Sequence, residues 1–473
     1  MDYSVLPTDW LTSNISVIHK KGSKSSLENY RPISLTSIPC KIMETLVRDH
    51  ILDHFLTNQL LSSSQYGFIK GRSATLQLLK VIDAWTSALD SGQEVAVVYT
   101  DFAKAFDKIP HRRLLTKLEG YGVSEKVISW IQTFLTTRTQ QVKINNCISN
   151  TLPVRSGIPQ GTVLGPLLFI IYVNDLPEVC KFLCSIFLFA DDAKLYKEIG
   201  RYSDFDTLAS AFHNFLVWCD KWCLKLNVSK CKVLSICSRS GSNYDFKFDI
   251  PYNNGSVHLD FVDNFKDLGV TIDSNLSFKE HIINKTNKAF AMLGIIRRTF
   301  DNIGKDIFLL LYKSLVRSHL EYGHSIWNPH HMGLIREIES VQKRATKLVP
   351  ACRKLTYKER LRFLQLPTLR YRRIRGDMLE VYKIVYGLYD PMISPHLPRN
   401  LDSRTRGNSM KLLHVRSKLD VRKFAFSNRI VSIWNALPDW VVLSGSLDIF
   451  KINLDKFWFD KDIYFNFEAE LAV

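Results

Sequence analysis

A chain of 473 residues with 46% hydrophobic and 12% aromatic side chains is too long for a single core and too apolar to be disordered or fibrous. Lysine and arginine outnumber aspartate and glutamate by 63 to 46, and the net charge of +17 points to a polyanionic partner, nucleic acid before membrane. No apolar run is long enough to span a bilayer, no basic-then-apolar leader opens the chain, and nine cysteines read as free thiols in a reducing, intracellular setting. Cys219, Cys223, Cys231 and Cys237 match no common zinc spacing.

In chain order, residues 10–22 hold an apolar stretch and the cation pair Lys20-Lys21. Residues 29–35 follow as an extended segment in which Pro32 disfavours helix at Arg31. Apolar spacing predicts a helix over 41–55 with Ile42, Leu46, Ile51 and Phe55 on one face. Residues 65–73 form a glycine-punctuated loop whose cations, Lys70 and Arg72, could cradle phosphate. A second helix is expected over 74–89. Residues 94–101 read as a buried strand closed by a carboxylate, Asp101, followed by a turn or short helix carrying Phe102, Phe106 and Asp107. After an amphipathic helix over 125–135, residues 155–166 contain three glycines and two prolines, so this backbone must come close to something.

Residues 186–196 place Asp191-Asp192 between two strand-forming runs, the turn of a β-hairpin. Residues 205–226 repeat Leu208, Phe212, Phe215, Cys219 and Trp222 at helical spacing, a core face. Further strands are expected at 231–236 and just before Leu268-Gly269-Val270. From residue 278 the chain turns helical and basic. Between Arg353 and Arg375 nine lysines or arginines face one acid, Glu359. With its interleaved aromatics, this tract, including Arg370, Arg372 and Arg373, reads as a phosphate-backbone contact surface, a solvated helix face being the alternative. The last hundred residues look helical, then aromatic-rich around Ser432-Ile433-Trp434-Asn435-Ala436-Leu437-Pro438.

Adjacent carboxylates in an apolar hairpin repel each other unless a cation sits between them, and a hard divalent ion such as Mg²⁺ suits oxygen ligands. A sheet that joined the ends of strands 94–101 and 186–196 would cluster Asp101 with Asp191 and Asp192. Such a set can hold two Mg²⁺ about 4 Å apart. Phosphoryl transfer then depends mainly on positioning and charge.

Together these motifs resemble the reverse transcriptase of non-LTR (LINE-like) retrotransposons of the jockey-type group. Phe189-Ala190-Asp191-Asp192 is similar to that family's catalytic hairpin, Asp101 through Asp107 to its first catalytic motif, and Ser156 through Pro166 to its template and nucleotide loop. Residues 29–35, 65–73 and Leu268-Gly269-Val270 match further blocks in the same order. The resemblance implies an α+β right-hand polymerase: fingers over 1–95, a palm with an antiparallel sheet over 96–275, a helical thumb over 276–365 and a mainly helical C-terminal extension over 366–473.

The same resemblance implies an RNA-directed DNA polymerase that extends a DNA 3′ end on an RNA template, using deoxynucleoside triphosphates and Mg²⁺ or Mn²⁺. Asp101, Asp191 and Asp192, with the Phe102 carbonyl, would hold the metals. Phe106 would exclude a 2′-hydroxyl. Lys70, Arg72 and Gln160 would contact the incoming nucleotide, and Lys230 would protonate the pyrophosphate. Ser156, Gly157, Pro159 and Gly161 would lie along the nucleic acid, and Leu268 and Gly269 would grip the primer. Action in the nucleus or in a cytoplasmic ribonucleoprotein follows from the likeness, with no membrane partner. The family often has a basic residue where Ile69 stands. Elements of this type encode an endonuclease ahead of the polymerase, which these residues lack, so a fragment, a truncated genomic copy or a mispredicted gene is expected. The alternative function is a catalytically inactive nucleic-acid-binding remnant.

Overall fold

Three sheets organise the first part of the computed structural model, which describes residues 6–20, 22–237, 248–252, 255–400 and 407–471; Lys21 of the Lys20-Lys21 pair lies outside the described residues. In chain order the strands are β1 (Thr12–His19), β2 (Tyr30–Leu35), β3 (Glu94–Asp101), β4 (Thr139–Ile144), β5 (Cys147–Ile148), β6 (Leu152–Pro153), β7 (Ser185–Phe189), β8 (Asp192–Ile199), β9 (Lys232–Ile236), β10 (Phe248–Tyr252), β11 (Gly255–Phe261), β12 (Asn264–Asp267) and β13 (Val270–Asp273). A six-stranded sheet has the order β10-β11-β9-β3-β8-β7, a smaller one β2-β1-β4-β5 with β6 also on β4, and β12 pairs with β13 alone. The long helices are α1 (Ile38–Thr57), α2 (Ala74–Asp90), α3 (His111–Gly120), α4 (Glu125–Thr136), α5 (Gly165–Tyr172), α6 (Ser203–Lys221), α7 (Lys279–Thr299), α8 (Met332–Ala345), α9 (Tyr357–Leu364), α10 (Leu369–Val385), α11 (Phe426–Asn435) and α12 (Leu447–Trp458). This is the α+β architecture the sequence implied. Among the described residues no helix is long and apolar enough to cross a membrane.

Strand β3 runs through the middle because it is apolar on both faces, and its two-residue alternation divides the core. Val95, Val97 and Tyr99 face one cluster, which continues through α2, β13, α7, α8 and α10 to Phe450 and Trp458 of α12. Ala96 and Val98 face the other, built with α1 and α3 to α6. The C-terminal extension therefore shares a core with the expected thumb, and α2, which the sequence placed in the fingers, joins it. Trp434 is buried, and Asn435 binds the Leu412 backbone through both its amide atoms, at 2.8 and 2.9 Å. The Trp-Asn motif is a structural pin.

Helix α1 forms as expected but turns a different face inward. Ile51 and Phe55 are buried, whereas Ile42 and Leu46 are each 61% exposed, and Cys40, Glu44 and Val47 take the inner positions. The cause is polar: the Leu164 N–H donates to the buried Glu44 carboxylate at 3.0 Å, and the positive charge of Arg138 acts on it. A buried carboxylate needs such partners, and supplying them sets the helix rotation.

The C-terminal end of the basic tract, from Arg370 to Arg375, is also corrected. Arg373 is buried, with its Nε donating to Asn328 Oδ1 at 3.0 Å. Arg370 donates to the Phe467 and Ala469 carbonyls at 2.8 and 3.1 Å, and Arg372 pairs with Glu321. Arg375 binds both oxygens of Asp455, at 2.5 and 2.7 Å. These side chains tie α10 to its neighbours and form no surface for phosphates. Arg373→Met leaves Glu339 buried without the cation that acts on it, so a loss of about 3–5 kcal/mol is expected. Arg362→Met, on the exposed face of α9, is expected to change stability by less than about 0.5 kcal/mol. Urea titration of both variants checks this; equal, small losses would return the tract to the surface.

Candidate active site

Antiparallel pairing of β3 with β8 sets Asp101 directly opposite Asp192. Hairpin β7–β8 turns through Ala190 and Asp191, with Phe189 paired to Asp192. Ala190 takes a left-handed φ of 55°, unfavourable for a residue with a Cβ. Its N–H donates at 3.0 Å to the Gln65 side chain, whose same oxygen accepts from Gly67 N–H at 2.8 Å. Leu188 exchanges backbone bonds with Ser64 and Tyr66, both 2.8 Å, and Gln77 Nε2 donates to the Leu188 carbonyl at 2.9 Å. Gln65 and Gln77 thus clamp the hairpin, a role the sequence reading missed. An amide between leucines in an apolar helix, as at Gln77, was the available signal.

Loss of hydration raises both hairpin carboxyls above the ordinary aspartate range, Asp192 to about 6. The charges of Asp191, Asp267 and Asp101 raise Asp192 further, and Lys194 opposes them. Asp101 adds to the rise at Asp191, while Arg31 and Lys20 lower it. Lys230 Nζ lies 2.9 Å from Asp101 Oδ2, and the Asn227 N–H donates to the Asp101 carbonyl at 2.7 Å. Phe102 is buried beside Leu226. Among the described residues no three His, Cys, Asp or Glu side chains gather as a ready metal site. Asp101 is instead drawn onto the Lys230 ammonium, a cation already at this acidic mouth. Hard oxygen donors of Asp191 and Asp192, raised above their usual pKa first by loss of hydration and then by neighbouring negative charge, fit a divalent ion, which would offset both.

One wall of this cavity, of about 300 Å³, is the β12–β13 hairpin, with Lys266, Asp267 and Leu268. Tyr99 of β3 stacks on Phe265 with ring centroids 4.0 Å apart, and Lys194 of β8 forms a buried ion pair with Asp267. The Tyr322 hydroxyl donates to the Leu268 carbonyl at 2.7 Å. Gly269 has φ 87°, and a Cβ there would stand 2.9 Å from the Tyr322 ring, so only glycine fits the turn. Lys288 and Lys266 act on Lys285 here; dehydration first and then these two neighbours lower the Lys285 pKa.

The glycine–proline loop lines a second cavity of about 420 Å³, together with Pro32 and Ser34 of β2. Gly157 (φ 86°) has its Cβ position 2.6 Å from the Asp107 carbonyl oxygen, and its own carbonyl accepts from the His111 ring at 2.8 Å. Ser156 Oγ donates to the Asp107 carbonyl at 3.2 Å and Gln160 Nε2 to the Asp107 carboxylate at 3.4 Å. The Ser34 N–H donates to the Gln160 carbonyl at 2.7 Å, next to Gly161. Phe106 stacks on Phe169, centroids 4.4 Å apart. Pro159 lines the same cavity and Lys70 is exposed.

Arg72 is a correction. Its guanidinium donates to the Ser62 and Gln65 carbonyls at 2.7 and 2.6 Å and pairs with Asp390 at 2.8 Å, leaving it no role on a triphosphate. Arginine's fixed fork of donors is well suited to holding such a loop.

A family profile described as reverse transcriptase (RNA-dependent DNA polymerase) matches residues 18–296, and the chain belongs to that family. It is 29% identical over 371 residues to the "Probable RNA-directed DNA polymerase from transposon BS" of Drosophila melanogaster, covering 73% of this chain and 39% of that protein. It is 27% identical over 356 residues to the RNA-directed DNA polymerase from mobile element jockey of the same fly, covering 72% and 38%. The chain thus spans about two fifths of the length of these curated relatives. Among solved structures it is similar to apo telomerase of Candida tropicalis, at 12% identity and a TM-score of 0.44 over 76% of this chain and 61% of that one. Reverse transcriptases work with divalent metal ions.

Because the folded pKa of Asp192 lies above its ordinary 3.8, the neutral acid favours the fold, and stability falls as pH rises from about 4 through about 6. Asp192→Asn should therefore stabilise the metal-free protein at pH 7.5 by about 1 kcal/mol after allowance for solvent screening, and the gain should vanish near pH 4. Thermal melts in chelator at both pH values check this; a variant less stable at pH 7.5 would refute the repulsion.

Proposed function

We propose that the chain is an RNA-directed DNA polymerase of a non-LTR retrotransposon, adding deoxynucleotides to a DNA 3′ end on an RNA template, and acting in the nucleus. The observation that carries this reading is the register that sets Asp101 against Asp192, one residue from Asp191, at the mouth of a cavity walled by the Leu268-Gly269 turn.

Asp101, Asp191, Asp192 and the Phe102 carbonyl would hold two Mg²⁺ ions, which when bound supply charge stabilisation to the nucleotide phosphates and activate the primer oxygen. The remaining work falls to the chain's own groups. Lys230 keeps an ammonium beside Asp101, where it can give a proton to the departing pyrophosphate. Lys70 reaches the triphosphate from the exposed side of the 65–73 loop. Gln160, tied to Asp107, and the backbone of Ser156, Gly157, Pro159 and Gly161 position nucleotide and template. Phe106, braced on Phe169, fills the space a 2′-hydroxyl would need. Leu268 and Gly269 seat the primer end, and Lys266, Lys285 and Lys288 offer positive charge to its phosphates.

Asp191→Asn, which keeps the shape and removes a charge, should reduce primer extension on RNA by roughly 10³-fold or more while primer–template affinity stays within about threefold. Parallel loss of binding and extension would count against a metal-ligand role. Phe106→Ala should raise ribonucleotide incorporation by at least ~10-fold relative to deoxynucleotide. Unaltered sugar choice in competition assays would remove Phe106 from the site.

A further inference from the structure

In the C-terminal half, several arginines outside α7 and α8 are held in ion pairs: Arg372 with Glu321, Arg375 with Asp455, Arg422 with Asp83 and Arg429 with Asp377. Four cations outside such pairs come together in one place. Arg297, Arg344, Lys347 and Arg353 are exposed, and among the described residues none of them forms an ion pair. They come from the end of α7, the end of α8 and the turns that follow, yet all line one groove of about 520 Å³. Asp301 is the single acid among its lining residues.

The apolar part of the groove has a definite character. Phe290 and Leu293 line it, and the Arg344 guanidinium lies 5.7 Å from the Phe290 ring centroid. Phe300, 38% exposed, adds a second aromatic face. The volume falls within the range of about 300–1,000 Å³ typical of sites for small organic groups, room for one unpaired base. On a helix of 3.6 residues per turn, Phe290 and Arg297 lie on roughly the opposite side of α7 from Lys285 and Lys288. This groove is therefore separate from the cations beside the catalytic cavity.

We propose that the α7–α8 groove binds single-stranded RNA, with phosphates on the four cations and a base against Phe290 or Phe300. A duplex keeps its bases stacked and would leave the aromatic faces unused, whereas single strands are held by this combination of charge and stacking. Naming RNA rests on the polymerase reading, in which the unpaired template is the single strand present. The site would hold template that lies outside the duplex.

The test uses the full chain in Mg²⁺-free buffer and fluorescence anisotropy with a labelled unstructured 12-nucleotide RNA, the same sequence in DNA, and a blunt RNA–DNA hybrid. The variant Arg297→Ala/Arg344→Ala/Arg353→Ala alters only exposed side chains, and melting curves confirm that it folds. It should weaken RNA binding about 10-fold at 100 mM salt and lower the salt slope by about 2, as expected for about three lost phosphate contacts. Hybrid affinity should stay within twofold. Phe300→Ala should weaken RNA binding at least about 5-fold with the slope unchanged. Unchanged RNA affinity in the triple variant, equal losses for RNA and hybrid, or tighter binding of the DNA strand would each overturn the proposal. Primer extension by the wild type is scored separately. Its absence with groove-dependent RNA binding intact would overturn the polymerase reading and leave the groove standing.

Discussion

Crowding of like charge at one end of a sheet is the constraint around which this molecule is arranged. Pairing β3 with β8 in the register that joins Asp101 to Asp192 leaves Asp191 one residue away and Asp267 close enough to act on Asp192. Such a cluster is unfavourable without positive charge nearby. The structure supplies it with Lys230 on Asp101 and Lys194 on Asp267. The second pair is buried, where removing one partner is costly, so it also joins the Asp191-Asp192 hairpin to the turn at Leu268 and Gly269. The same interaction thus serves electrostatics and alignment.

The C-terminal extension contributes to that alignment from a distance. Asp390 holds Arg72, and the Ile393 carbonyl accepts from the Tyr66 hydroxyl at 3.2 Å, so the loop that clamps the hairpin through Gln65 is itself braced from the tail. On α2, Asp83 pairs with Arg422, and Asp90 accepts from the Lys418 and Leu419 N–H groups at 2.8 and 2.7 Å. A region without recognisable chemistry of its own supports the loop that holds the Asp191-Asp192 hairpin. That is why so many of its arginines point inward.

Much of the chain was legible as sequence. The helices at 74–90 and 125–136 and the strands carrying Asp101 and the Asp pair stand where periodicity and turn residues put them, since local pattern is enough for long, regular segments. The glycine–proline loop was marked as a close approach, and Gly157 lies against Asp107. The face of α1 was misread because hydropathy places leucine and isoleucine inward, while Glu44 had a distant partner in Leu164. The tract around Arg370 was misread for the same reason. Its counter-charges, Glu321 and Asp455, lie 51 and 80 residues away in sequence.

By itself, the sequence determined the order of elements, the family blocks, the strand-end place of Asp101 and the turn place of Asp191-Asp192, because each is written in local spacing. Only the tertiary structure decided which cations remain free. Charge density along a chain says nothing about whether a guanidinium meets water or a carboxylate brought to it by folding. Arg72 and Arg373 are occupied inside the protein, while Lys230 and the cations of the α7–α8 groove are left open to solvent. Burial and pairing depend on long-range packing, and they separate a binding surface from a scaffold.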